Sequence, residues 1–262
     1  MTDVHEPAAT ASTLLSMRGI AKNFGPVQAL VGVDLDVPAG QVTALCGDNG
    51  AGKSVLIKCI AGIWHADAGE ILWEGVPVHI RSPRDAAALG IATVYQDLAL
   101  CDNLDIVQNM FLGHETLRRR LLDEDTMERA AVSTLQRLSV TTVRSVRQPV
   151  ASLSGGQRQA VAVARAVMSE SKLVIMDEPT AALGVTQTAV VLELIHRLSA
   201  EGIAVLVISH NLNDVFAVAD RLAILHLGRM VSSGPAGDYD AQKVVELMTT
   251  GRSQRTVKQG GS

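Results

Sequence analysis

Residues 47–54, Gly47-Asp48-Asn49-Gly50-Ala51-Gly52-Lys53-Ser54, fit the spacing G-x-x-x-x-G-K-[ST]. Glycines at these places let the backbone curl so that successive N–H groups point inward and cradle phosphates. Lys53 adds a point charge for the outer phosphates, and the Ser54 hydroxyl is placed for Mg²⁺. Chance would produce such an octapeptide in roughly 1 % of chains of this length. Four further segments, Gln96, residues 153–157, Asp177-Glu178 and His210, carry groups that make sense around one nucleoside triphosphate and its magnesium.

Lys172-Leu173-Val174-Ile175-Met176-Asp177-Glu178 ends an apolar run with two carboxylates. Ligands of open parallel sheets bind beyond the carboxyl ends of the strands. Asp177 would hold Mg²⁺ through its water shell, and Glu178, one residue on, would polarise an attacking water. An exposed acidic turn before Pro179 is the plainer alternative, and the phosphate loop in the same chain disfavours it. His210 follows a second apolar run, where it could cap a helix or lie at the surface.

Leu153-Ser154-Gly155-Gly156-Gln157 has the S-x-x-Q spacing of a capping box, so Ser154 is expected to start a helix running to Met168. Two glycines in that first turn cost about 1 kcal/mol each against alanine. An ordinary capped helix explains Ser154 and Gln157 but not the glycines. They suggest a backbone that must be approached closely, and a helix N-terminus with bare N–H groups suits a phosphate.

The elements that must position these residues read as α/β. A β-rich start at 14–20, 29–37 and 41–46 feeds into the phosphate loop, and 51–61 has helix composition. Short strands are expected at 71–73, 76–80 and 91–95, with Pro83 opening a short helix. From about 98 to 168 the helical stretches 126–138 and 155–168 dominate without a convincing strand, as in a subdomain inserted into an α/β core. The unbroken apolar runs 173–176 and 203–208 suit parallel strands buried on both faces. A helical crossover at 187–198, a strand near 222–226 and a final helix near 241–248 complete the order, with no internal repeat.

The chain has 262 residues, 47 % hydrophobic and 19 % charged, enough for one large core or one core with an insert. A net charge of -4 argues against non-specific nucleic-acid binding. The run Arg118-Arg119-Arg120 reads as a solvated surface. No stretch approaches the ~18 apolar residues of a membrane span, and the first residues lack a signal-peptide core, so the protein is expected to be neither exported nor embedded by itself. Cys46, Cys59 and Cys101 show neither metal-ligand spacing nor a pairing pattern and read as reduced thiols.

With Leu153-Ser154-Gly155-Gly156-Gln157 beside the phosphate loop, the chain resembles the ATP-binding-cassette (ABC) ATPases over nearly its full length, for Leu-Ser-Gly-Gly-Gln is their signature sequence. The resemblance implies an α/β P-loop NTPase cassette: a RecA-like core, an N-terminal antiparallel β part and the helical subdomain at about 98–168. It places a flexible N-terminus at 1–12, the ATPase domain at 13–250 and a flexible tail at 251–262. It further implies ATP and Mg²⁺, and head-to-tail dimers, either homodimers or paired cassettes, with two ATP molecules at the interface. ATP would contact Gly47, Asp48, Asn49, Gly50, Ala51, Gly52, Lys53, Ser54 and Val55 of one subunit and Ser154, Gly155, Gly156 and Gln157 of the other. Gln96, in Tyr95-Gln96-Asp97, matches the Q-loop, which touches Mg²⁺ and the water while the next segment meets a membrane partner. His210 matches the switch histidine, and Phe24 falls where the family stacks an aromatic ring on adenine. Catalysis would rest on Glu178, His210, Gln96 and Lys53, and the metal on Ser54, Gln96 and Asp177.

Two positions depart from the family. Val55 stands where many relatives have Thr, removing a hydroxyl from the α-phosphate and predicting weaker nucleotide binding rather than none. Gly184 stands where much of the family has Asp, which puts communication between the two sites in doubt. Residues 178–185, 47–50 and 95–97 look most like single-cassette ATPases of carbohydrate importers of the ribose, xylose and fructose class. That implies transmembrane permease subunits, indirectly an extracellular or periplasmic sugar-binding protein, no nucleic acid, and a peripheral place on the cytoplasmic face of the membrane. The alternatives are a soluble ABC-type switch and a nucleotide-binding regulatory subunit without transport.

Overall fold

The computed structural model describes residues 12–140, 142–168 and 170–252. Of the expected loose ends, residues 1–11 and 253–262 lie outside the described residues.

Two sheets face one another across a shared core. The first is antiparallel: β1 (Thr13–Phe24) lies between β2 (Val27–Pro38) and β4 (Ala68–Trp73), and β5 (Val76–Val78) extends the β4 side. The second has β3 (Val42–Cys46) at its middle, with β11 (Arg221–His226) on one side and β10 (Ala204–Ile208), β9 (Leu173–Asp177) and β6 (Ile91–Val94) on the other. These strands are all parallel, and the antiparallel strand β12 (Arg229–Pro235) closes the β11 edge. Every residue of β3 and β10 is buried, which is why both read as continuous apolar runs.

The period of two sorts each central strand between two cores. Leu173 and Ile175 of β9 and Leu206 of β10 pack with Leu15, Met17 and Leu35 of the antiparallel sheet and with Leu56 and Ile60 of α1 (Lys53–Ile60). Val174 and Met176, with Val205 and Val207, face the other way. They pack against α3 (Ile106–Phe111), α4 (Glu124–Arg137), α5 (Gly155–Val167) and α6 (Val185–Ala200). A smaller third cluster joins β11 to α7 (Leu212–Val218) and α8 (Ala241–Thr250). The short helix α2 (Pro83–Ala88) begins at Pro83, with the Ser82 hydroxyl accepting from the Asp85 N–H.

The stretch 98–168 does contain strands, contrary to expectation: β7 (Leu117–Arg118) and β8 (Leu121–Leu122) form a two-residue-per-strand hairpin. Arg119 and Arg120 make its turn at φ 52° and 71°, so the arginine run is an exposed hairpin tip. α3, α7 and β12 were also not expected.

The register of the parallel sheet sets the site. Val94 lies beside Met176, Asp177 beside Ile208, and Ile208 beside Leu45. The segments that continue past these residues, carrying Gln96, Glu178, His210 and Gly47, therefore leave from one edge, the carboxyl end of the strands.

Candidate functional site

Between β3 and α1 the chain makes a tight loop whose geometry only glycine allows at two points. Gly52 has φ 105°, and a Cβ there would sit 2.8 Å from the Ala29 carbonyl oxygen. A Cβ on Gly47 would meet the Leu225 carbonyl oxygen at 2.5 Å. The loop is tied to the β11–β12 turn, where the Gly228 N–H donates to Ala51 O at 2.9 Å and Val31 N–H donates to Gly228 O at 2.8 Å. α1 starts at Gly52 without a side-chain cap, so its first N–H groups are left for another acceptor.

The Lys53 side chain is buried, and its Nζ donates to Gly47 O at 2.7 Å and Asp48 O at 3.1 Å. Among the described residues it makes no ion pair. A buried cationic side chain with only carbonyl partners is a costly arrangement in a protein that binds no anion there. The loop opens on a cleft of about 430 Å³ lined by Val27, Gln28, Ala29, residues 48–55, Leu227 and Gly228. The residues present therefore fit a polyphosphate.

Asp177 ends β9 and Glu178 follows it at φ 50°, a left-handed conformation that a side chain pays for. The Glu178 N–H donates to Ile208 O at 2.9 Å, and its Oε1 lies 2.9 Å from His210 Nδ1. Burial raises the Asp177 carboxyl above its ordinary value, the charge of Glu178 adds to this, and Lys53 and Lys58 oppose it. A desolvated carboxylate without an ion-pair partner among the described residues suits a divalent cation. Gln96 follows β6 and Asp177 ends β9, neighbouring strands of the parallel sheet, and both carry the hard oxygen donors that such a cation takes. Among the described residues no three His, Cys, Asp or Glu side chains group tightly enough to hold a metal alone. Such a metal would arrive with phosphate oxygens and water, as magnesium does.

Gln96, Asp177, Glu178 and His210, at the carboxyl ends of the strands, are not in the lining of the cleft, and neither are the remaining expected residues outside the phosphate loop. Ser154 caps α5 with the full box: its Oγ accepts from Gln157 N–H, and Gln157 Oε1 accepts from Ser154 N–H at 2.9 Å. None of Ser154, Gly155, Gly156 and Gln157 lines the cleft. The two glycines have a reason within the chain: a Cβ on Gly155 would lie 2.8 Å from Leu183 Cδ2, and one on Gly156 3.1 Å from Gln187 Cβ. The close approach inferred from the sequence is made by the loop before α6 and by α6 itself. Phe24 is exposed and does not line the cleft. Its ring packs edge-to-face on Trp64 with centroids 4.8 Å apart, and Lys22 Nζ lies 5.5 Å from its centroid. The apolar wall beside the loop is Val27. Gly184 is the N-cap of α6 without a side-chain bond.

Sequence reasoning missed the Leu227-Gly228 turn, although an X-Gly pair between two apolar stretches is a hairpin signal. It also missed Thr180, whose Oγ1 donates to Asp214 Oδ2 at 2.6 Å.

The comparisons with known proteins now bear on this site. Residues 30–181, more than half of the chain, match the model of the family described as ABC transporter. The chain belongs to the ABC transporter family. This cassette is 47 % identical over 243 residues to the fructose import ATP-binding protein FrcA of Rhizobium meliloti, covering 90 % of this chain and 94 % of that one. It is 44 % identical to the xylose/arabinose import ATP-binding protein XylG of Sulfolobus acidocaldarius, over 91 % of this chain and 95 % of the relative. A ribose import ATP-binding protein of Escherichia coli O157:H7 is 41 % identical, and the ABC cassette here spans 47 % of its length. Among solved structures, an ATP-binding cassette of an ABC transporter in its ADP conformation superposes with a TM-score of 0.78 at 26 % identity, covering 91 % of this chain and 95 % of that one. The two-sheet and helical architecture is thus the ABC cassette fold. Among the described residues no helix is long and apolar enough to cross a membrane.

Proposed function

We propose that this cassette is the ATP-hydrolysing subunit of an ABC importer for a monosaccharide. Hydrolysis is carried by the gathering of Lys53, Asp177, Glu178 and His210 at one sheet edge. The relatives named for fructose, xylose/arabinose and ribose import support the sugar assignment.

In this reading the N–H groups of residues 50–55 and the Lys53 ammonium take the β- and γ-phosphates, and Nζ exchanges its two carbonyl partners for phosphate oxygens. Ser54, Gln96 and Asp177 hold Mg²⁺, which supplies charge neutralisation between the phosphates when bound. Glu178 orients the attacking water and accepts its proton at a carboxylate oxygen. His210 turns from Glu178 toward the γ-phosphate. Catalysis is positioning and charge stabilisation, since phosphoryl transfer asks little covalent work of the protein. Residues 98–168 form the helical subdomain, and Ser154 and Gly156 complete the site of a second cassette. The cassette docks on the cytoplasmic face of a permease, which with an external binding protein selects the sugar.

The test is to tag the chain, solubilise native membranes gently and identify what co-purifies. A multi-spanning permease, with hydrolysis stimulated by the loaded sugar-binding protein, is expected. Recovery without any membrane protein contradicts the importer reading.

A further inference from the structure

Glu178 is held at φ 50° and Ala182, four residues on, at φ 60°, so the turn after β9 is strained at two points. Strain of this kind persists only where the surroundings over-determine it. Three backbone bonds contribute: Glu178 N–H to Ile208 O at 2.9 Å, Ala181 N–H to Glu178 O at 3.1 Å and Leu183 N–H to Thr180 O at 3.3 Å. Besides the Glu178–His210 contact, a second side-chain bond leaves the turn: Thr180 Oγ1 donates to Asp214 Oδ2 at 2.6 Å, within the range usual for a hydroxyl on a carboxylate. Thr180 is buried, and Asp214 sits in the first turn of α7, the helix that Asn211 caps directly after His210. Among the described residues Asp214 makes no ion pair. The bond therefore joins the two segments that carry Glu178 and His210, in addition to their own contact.

We propose that Thr180 and Asp214 are positioning residues: their hydrogen bond locks the strained turn so that the Glu178 carboxylate stays aimed at the water site and in register with His210. This rests on the reading of Glu178 as the base. Neither side chain lines the nucleotide cleft, so loss of the bond leaves ATP affinity in place and lowers turnover. A helix-dipole role for Asp214 alone, as an acidic residue at the start of α7, would make stability depend on Asp214 without making turnover depend on the Thr180 hydroxyl.

The experiment measures kcat, KM and equilibrium binding of a fluorescent ATP analogue for the full chain and for Thr180→Val, Thr180→Ser, Asp214→Asn, Thr180→Val/Asp214→Asn and Glu178→Gln, with thermal midpoints for each. Thr180→Val is expected to lower kcat roughly tenfold or more, with nucleotide affinity within about twofold of the parent. Thr180→Ser, which keeps the hydroxyl, restores kcat. The double variant is no slower than the slower single one, because both changes break the same bond. Asp214→Asn keeps an acceptor but loses its charge, and its intermediate kcat gives the same reading if Thr180→Val folds poorly. The proposal is overturned if Thr180→Val turns over like the parent, if kcat and affinity fall together, or if serine fails to rescue. Glu178→Gln separates the two claims: fast turnover there removes the base itself, whereas slow turnover beside a normal Thr180→Val removes only the lock.

Discussion

His210 Nδ1 lies 2.9 Å from Glu178 Oε1, with the histidine side chain 66 % exposed and the glutamate 16 %. Opposite a carboxylate oxygen Nδ1 acts as the donor, which leaves Nε2 for another partner. One side chain is sheltered and held by its neighbours, and the other is free to swing. In the proposed reading that asymmetry suits a fixed base and a mobile sensor of the γ-phosphate, both carried just beyond the ends of β9 and β10.

The paired glycines of α5 should differ in tolerance. Gly155→Ala meets the ends of the Leu183 and Gln187 side chains, which can move, and alanine gains about 1 kcal/mol of helix propensity. Its stability should stay within about 1 kcal/mol of the parent. Gly156→Ala meets Gln187 Cβ at 3.1 Å and Cα at 3.4 Å, the body of α6, and should cost about 1–3 kcal/mol. Chemical denaturation of both variants measures the difference, and equal costs would contradict the packing argument.

Gly184→Asp should be benign to the fold. Gly184 has φ -74°, ordinary for any residue, and a Cβ there meets nothing within 4 Å. An aspartate would supply the side-chain cap that α6 lacks, adding a few tenths of a kcal/mol, about the usual gain over a glycine cap. A thermal midpoint lower than the parent's would show that the open space is misjudged.

Asp177 sets a pH dependence. Its raised folded value means that the folded chain keeps the proton to a higher pH than the unfolded chain. Between the two values the folded state binds more protons, so stability without metal falls as pH rises through that window. Asp177→Asn should therefore raise the thermal midpoint at neutral pH in the presence of a chelator and flatten its decline from acid to neutral pH. The same variant should lose roughly 10²-fold or more of Mg²⁺-dependent hydrolysis. An unchanged pH slope would mean that Asp177 is not desolvated.

The thiols should divide by burial. Burial pushes the Cys46 thiol to about 12, with Lys53 pulling it down and Glu178 pushing it up, and lifts Cys59 to about 11. Only the thiolate is nucleophilic. In the native protein at neutral pH an alkylating reagent should label half-buried Cys101 and reach Cys46 and Cys59 only in denaturant. Mass spectrometry counts the adducts, and native labelling of Cys46 would contradict its burial beside the phosphate loop.

Much of this was legible in the residues because the chemistry needs fixed types at short spacing. The phosphate loop, the Asp177-Glu178 pair and the Ser154–Gln157 capping box are of that kind. β3, β9 and β10 were legible because strands buried on both faces have no polar positions to interrupt them. α3 was not, since six residues hold less than two helical turns of pattern, though Asp105 and Gln108 form a capping box at its start. β12 is a polar edge strand without alternation. The Thr180–Asp214 bond spans 34 residues, and no local spacing announces such a pair. Phe24 is exposed with its ring edge-to-face on Trp64, and its place against adenine stands as a proposal.

The central claim is that Glu178 is the base of an ATPase, and Glu178→Gln tests it most directly. Steady-state phosphate release, nucleotide affinity and dimer fraction should be measured together with ATP and Mg²⁺. The account predicts turnover reduced roughly 10²-fold or more, affinity unchanged and a dimer that persists because ATP is not consumed. Phosphate release at the parent's rate would contradict it.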